Sequence, residues 1–134
     1  MSDDGLRYGA RMQGWQRLFA AGAALAALGI AAGAFGAHAL KQRLDEDLLA
    51  IFETGARYHL IGALAVMAVA LAAASGVRAV TPGWLIAGGT LIFAGTLYAL
   101  ALTGARWWGA VTPIGGTAML VGLAWVAIAA FTTR

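Results

Sequence analysis

The chain has no cysteine. Disulfides, thiolate metal sites, cysteine-attached haem and iron–sulfur clusters are therefore excluded. Charge is also scarce. Asp, Glu, Lys and Arg make up 11% of the 134 residues, against 61% hydrophobic, and a soluble domain of this length carries more charge. Four stretches have no Asp, Glu, Lys or Arg at all: Leu18–Leu40, Tyr58–Val77, Ala79–Ala105 and Trp107–Thr133. A helix needs about 20 residues to cross a hydrocarbon core of about 30 Å, and each stretch is long enough. The expected fold is an all-α, integral membrane four-helix bundle with up-down topology. The four spans use nearly the whole length, and no separate soluble domain is expected.

The formal net charge of +3 would suggest nucleic acid in a soluble protein. Here the basic residues sit singly at the ends of apolar segments, as headgroup anchors do. The expected partners are the lipid bilayer and either the protein itself or other membrane proteins, with no nucleic acid. Arg7, Arg11 and Arg17 precede an apolar run that closes on Ala37-His38-Ala39, an A-x-A pattern. The run exceeds the usual leader core of about 7–15 residues, so it reads as a membrane helix.

Residues 1–13 read as an interfacial tail, with room for a short helical turn. Helix 1 is expected over about 15–39, with Trp15 and Arg17 at its headgroup end. Gly22, Ala26, Gly29, Gly33 and Gly36 recur every three or four residues, on one helical face. Gly29-x-x-x-Gly33 is a small-xxx-small pattern that lets backbones approach closely in lipid. The spacing predicts an internal packing seam. Between helices 1 and 2 lies a short amphipathic segment: Asp45, Glu46 and Asp47 complement a helix N-terminus, and Leu48, Leu49, Phe52 and Ala56 follow at helical spacing. Helix 2 is expected over about 45–74, with Glu53 and Arg57 placed as an i,i+4 pair. Thr81-Pro82 and Thr112-Pro113 read as N-cap followed by first-position proline. They start helix 3 (about 82–103) and helix 4 (about 113–131). Arg7, Arg11, Arg17, Arg78 and Arg134 would lie on one side, with Lys41, Arg43, Arg57 and Arg106 on the other. The three arginines before helix 1 point to N-in, C-in.

Few residues offer chemistry. His38 ends helix 1, and His59 follows Tyr58, with Arg57 and Glu53 a turn or more before. An ionisable group at membrane depth is a functional candidate. In an up-down bundle, the end of helix 1 and the start of helix 2 share one side, so His38 and His59 can meet. Two imidazoles with Glu53 would suit a metal, but no paired-histidine motif lies within one helix. The cluster His38, Glu53, Arg57, Tyr58, His59 therefore reads as a polar staple between helices 1 and 2, without metal, cofactor or catalytic role. Gly115 and Gly116 follow Thr112-Pro113 and read as packing positions together with Gly22, Gly29, Gly33 and Gly36. The P-loop spacing and its Lys are absent there. Thr90, Thr96, Tyr98 and Thr117 are the main polar groups of helices 3 and 4, too few for a hydrophilic conduction path.

Three blocks carry a resemblance. Gly33-Ala34-Phe35-Gly36-Ala37-His38-Ala39-Leu40-Lys41 resembles the GAFGAH(x)LK signature of the membrane-protein family catalogued as domain of unknown function 423, to which transmembrane protein 256 also belongs. Thr54-Gly55-Ala56-Arg57-Tyr58-His59 resembles its second block and Val111-Thr112-Pro113-Ile114-Gly115-Gly116 its third. The chain departs from the pattern at Gly62, where the family often carries a second histidine. The resemblance implies a four-helix protein of the bacterial cytoplasmic membrane, and it brings no reaction, substrate or cofactor. The expected function is that of an accessory or structural subunit acting through helix packing. The alternative is a binding or transport module for a small hydrophobic molecule, lipid or proton using His38 and His59. Whether the protein is an enzyme stays open at the level of sequence, with the balance against it; a membrane enzyme or metal protein using His38, His59 and Glu53 is the third reading.

Overall fold

The computed structural model describes residues 2–133, apart from the side chains of Arg11 and Met12; Arg134 lies outside the described residues. Four helices follow one another: α1 (Asp3–His38), α2 (Glu46–Ala74), α3 (Val80–Thr103) and α4 (Trp108–Thr132). A short 3-10 turn, Leu40–Gln42, joins the first two. All four are long and apolar enough to cross a membrane.

The segment expected as a tail is helical. α1 begins at Asp3, not near Trp15, with Asp3 and Asp4 in its first turn, where carboxylates favour the positive end of the helix dipole. An exposed Arg7–Asp3 ion pair at 3.3 Å lies one turn on. At 36 residues and about 1.5 Å per residue, α1 is about 54 Å long, well beyond a hydrocarbon core. Residues 2–10 are exposed and form its projecting end.

The helix starts also differ from the Thr-Pro reading. α2 begins as its acidic residues predict: Asp45 is the N-cap, and its carboxylate accepts from the Leu48 N–H at 2.9 Å. α3 begins at Val80 with Ala79 as N-cap, so Thr81 is not the cap. Pro82 lies in the first turn, where its missing N–H has no intrahelical partner to lose. α4 begins at Trp108, five residues before Pro113, which is inside the helix. Pro113 leaves the Gly109 carbonyl without its usual donor, a tolerable loss near a helix end. Thr112 is thereby freed for another role, described below.

The turns are short. α2 ends in a Schellman motif: the Val77 N–H donates to the Ala72 carbonyl and that of Gly76 to Ala73. Gly76 has φ +106°, and Gly104, closing α3, has φ +70°; both values favour glycine. Val80 beside Gly14 and an Arg78 N–H to Thr133 Oγ1 bond of 3.4 Å place the α2–α3 turn beside the N-terminal part of α1 and the end of α4. The helices thus run up-down, with both termini on one side.

Neighbours in sequence are neighbours in space. α1 packs on α2, α2 on α3 and α3 on α4, and α1 touches α3 only lightly. α2 and α3 form the centre, and α1 and α4 flank them. The contacts recur every seven residues, the periodicity of a left-handed seam. Gly22, Gly29 and Gly36 of α1 face Met67, Leu60 and Phe52 of α2. Gly33 has nothing within 4 Å of a Cβ position. The seam is therefore the seven-residue series, and the expected Gly29–Gly33 pair is not its unit. From α2 to α3, Gly55 receives Tyr98 and Gly62 receives Thr90. Between α3 and α4 the backbones themselves meet: a Cβ on Gly89 would lie 2.7 Å from the Gly115 carbonyl oxygen.

These spaces predict opposite results for two glycine substitutions. At Gly62 a Cβ would stand 2.7 Å from Thr90 Cγ2, so Gly62→Ala should destabilise by about 1–3 kcal/mol through overpacking. At Gly88 nothing lies within 4 Å, so Gly88→Ala should be neutral or gain up to about 1 kcal/mol of helix propensity. Unfolding of the two variants in matched detergent micelles checks both.

Candidate functional site: a buried His59–Tyr98 pair

Three helices build the site. Phe52, Gly55 and His59 lie on successive turns of α2. Gly55 has no side chain, and Tyr98 of α3 fills the space: a Cβ on Gly55 would stand 3.0 Å from Tyr98 Cε1. The Tyr98 ring lies 4.7 Å from that of Phe52. Its hydroxyl meets His59 Nδ1 at 2.9 Å. On the other side of His59 is α1, where a Cβ on Gly29 would come 3.3 Å from the imidazole Cδ2. The histidine is 7% exposed.

The second ring nitrogen, Nε2, is buried without a hydrogen-bond partner; Trp15 Nε1 is in the same condition among the described residues. With a neutral ring protonated at Nε2, Nδ1 accepts from the Tyr98 hydroxyl.

A second polar contact lies between α3 and α4. Thr96 Oγ1 and Thr112 Oγ1 are 2.7 Å apart, and each also meets a carbonyl of its own helix, Thr96 that of Ile92 and Thr112 that of Trp108. This is what Thr112 does in place of capping. Two hydroxyls that satisfy each other cost little in an apolar interior.

Among the described residues no side-chain hydrogen bond or ion pair joins the expected five-residue cluster. His38, Glu53, Arg57 and Tyr58 are exposed, and Tyr58 packs edge-on to Phe93 at 5.3 Å. Among the described residues the one ion pair is Arg7–Asp3, so Glu53 and Arg57 are not bridged. The helix register separates the histidines. His59 touches α1 at Gly29, and His38 is nine residues further on, about 13 Å along the axis. The staple at His59 therefore joins α2 to α3 through Tyr98, and α1 contributes the cover. Among the described residues no three His, Asp or Glu side chains are grouped for a metal. Tyr98 was visible in the sequence only as one polar residue of an apolar helix; nothing there paired it with His59. Of the packing glycines, Gly115 meets the Phe93 backbone and Gly116 the Phe93 ring.

The three sequence blocks are thus three contact sets: Gly36 under Phe52, Gly55 and His59 around Tyr98, and Thr112 with Gly115 against α3. A model for the family described as a protein of unknown function (DUF423) matches residues 32–116, which contain all three. The chain belongs to this family. It is 39% identical to the UPF0382 membrane protein YwdK of Bacillus subtilis, over 81% of this chain and 91% of that one. It is 41% identical to a UPF0382 membrane protein of Haemophilus influenzae, over 75% and 80% respectively. It is 36% identical to the UPF0382 inner membrane protein YgdD of Escherichia coli, over 78% and 82%. No solved structure gives a significant match. All three are described as membrane proteins, in agreement with the four apolar helices.

The pair has a measurable strength. A double-mutant cycle with His59→Phe and Tyr98→Phe should give a coupling of about 0.6 kcal/mol, and no more than about 1.7, the range of hydrogen bonds inside membrane proteins. Zero coupling in unfolding measurements would mean that the two side chains do not meet.

Proposed function

We propose that the protein is a non-enzymatic accessory or structural subunit that acts through helix packing, with itself or with a larger membrane complex. The observation that carries this reading is where the apolar surface lies. α2 and α3 bury more of their surface than α1 and α4 do, and still expose Leu64 and Leu71 on α2 and Leu91 and Leu102 on α3. α1 and α4 each bury one stripe and expose large side chains on the rest: Leu28, Ile30 and Phe35 on α1, and Leu120, Ile128 and Phe131 on α4. Two side-chain pairs carry the polar contacts between helices, His59 with Tyr98 and Thr96 with Thr112. That economy supports a packing role over a conduction path.

Both termini on the cytoplasmic side belong to the same reading, from Arg7, Arg11 and Arg17, which precede the uncharged stretch Leu18–Leu40. One experiment serves both points. A C-terminal affinity tag should be cleaved only when protease reaches the cytoplasmic side. The same tag, after mild detergent extraction, should retrieve a homo-oligomer or a defined set of membrane proteins. A lone monomer, with native membrane complexes unaltered by deletion of the gene, would contradict the proposal.

A second reading, binding or transport of a small hydrophobic molecule, lipid or proton, is favoured by the unpartnered Nε2 of His59. It must do without a direct His38–His59 contact. Unchanged binding or flux in liposomes carrying His59→Ala would remove it.

A further inference from the structure

α2 and α4 both pack on α3 and make little contact with each other. Between them runs a furrow floored by Phe93 of α3, with Tyr58 and Ile61 on one wall and Gly116, Leu120 and Leu123 on the other. Its volume is about 360 Å³, within the range of roughly 300–1,000 Å³ usual for small-molecule sites. Gly116 opens the furrow down to the floor, since even a Cβ there would reach within 3.4 Å of the Phe93 ring. Apart from the Tyr58 hydroxyl, and backbone, the lining is apolar, with Met119 beside the aliphatic and aromatic side chains.

The upper end carries charge. Arg57 and Ile61 are one turn apart on the same face of α2, so Arg57 stands directly above the furrow wall. It is exposed. Among the described residues it makes no ion pair, including with Glu53 one turn further out. It is also the last charged residue before the uncharged stretch Tyr58–Val77, which sets it at headgroup level. An unpaired guanidinium at that level suits a phosphate, which it can bind through two parallel N–H donors. The apolar furrow beneath suits an acyl chain.

We propose that this furrow holds one acyl chain of an anionic glycerophospholipid whose phosphate pairs with Arg57. The walls themselves argue for a lipid over a second copy of the chain. Close helix docking in membranes uses small residues, whereas Ile61, Leu120 and Leu123 are bulky and only Gly116 is small. A flexible chain fits between such side chains; a helix backbone is held away by them. The inference goes beyond the accessory-subunit reading and stands or falls separately from it.

The test is native mass spectrometry of the detergent-extracted protein titrated with phosphatidylglycerol, with phosphatidylcholine of the same chain length as the neutral control. One phosphatidylglycerol should bind per protomer, in preference to phosphatidylcholine. Arg57→Gln should weaken phosphatidylglycerol about fivefold, the value of one basic residue at an anionic surface, and leave phosphatidylcholine unchanged. Leu120→Trp should fill the furrow and weaken both lipids. Both positions are exposed, and the wild-type preference is decisive even if a variant fails to fold. Equal affinity for the two lipids, an Arg57→Gln variant identical to wild type, or a photoreactive residue at position 120 that captures a second copy instead of lipid would each overturn the proposal.

Discussion

Close approach of helix backbones is the interaction on which this structure depends. In lipid the hydrophobic effect does not draw one apolar helix to another, because the acyl chains are as apolar as leucine. What remains is dispersion between well-fitted surfaces and a few hydrogen bonds, and dispersion falls steeply with distance. The chain meets that condition with glycine at seven-residue steps: Gly22, Gly29 and Gly36 on α1, Gly55 and Gly62 on α2, Gly115 and Gly122 on α4. Each marks a place where a neighbouring helix fills the space of a missing side chain.

The polar features follow from that spacing. Tyr98 reaches His59 because Gly55 leaves a channel for its ring, and Gly29 allows α1 to cover the imidazole. Thr90 lies over Gly62, and its hydroxyl returns to the Ile86 carbonyl of its own helix at 2.8 Å. Thr96 and Thr112 meet because Gly89 and Gly115 bring α3 and α4 into backbone contact a turn or two away. Each buried hydroxyl or imidazole is thus placed by a glycine on the same seam, and most find a partner. The exception is Nε2 of His59, on a ring whose Cδ2 lies against Gly29 of α1.

Some of this was legible in the sequence. The four uncharged stretches gave the number and type of elements, and Asp45 with its acidic neighbours marked the start of α2. The Thr-Pro pairs misled about α3 and α4. Proline is compatible with the whole first turn and tolerable just beyond it, so it marks the neighbourhood of a start and not the residue. The polar tail concealed a helix because Asp3, Asp4 and Arg7 satisfy a helix in water as well as they satisfy an irregular segment. The proposed His38–His59 contact rested on shared sidedness, which is a weaker constraint than register. Register is set by which glycine meets which side chain, and a sequence shows only one half of each such contact. For the same reason Tyr98 could be noted as polar but not paired, and the furrow between α2 and α4 could not be foreseen from residues on three different helices.

The absence of cysteine makes that register directly measurable. A Cβ on Gly55 would stand 3.2 Å from the Leu97 Cβ, near the separation of about 3.5–4.5 Å that a disulfide spans. Gly55→Cys combined with Leu97→Cys in the membrane-embedded protein should therefore cross-link on mild oxidation. A control pair displaced by one turn, Ile51→Cys with Leu97→Cys, should remain reduced. Efficient cross-linking of the displaced pair, with the first pair left open, would place α2 and α3 in a different register and remove the His59–Tyr98 site with it.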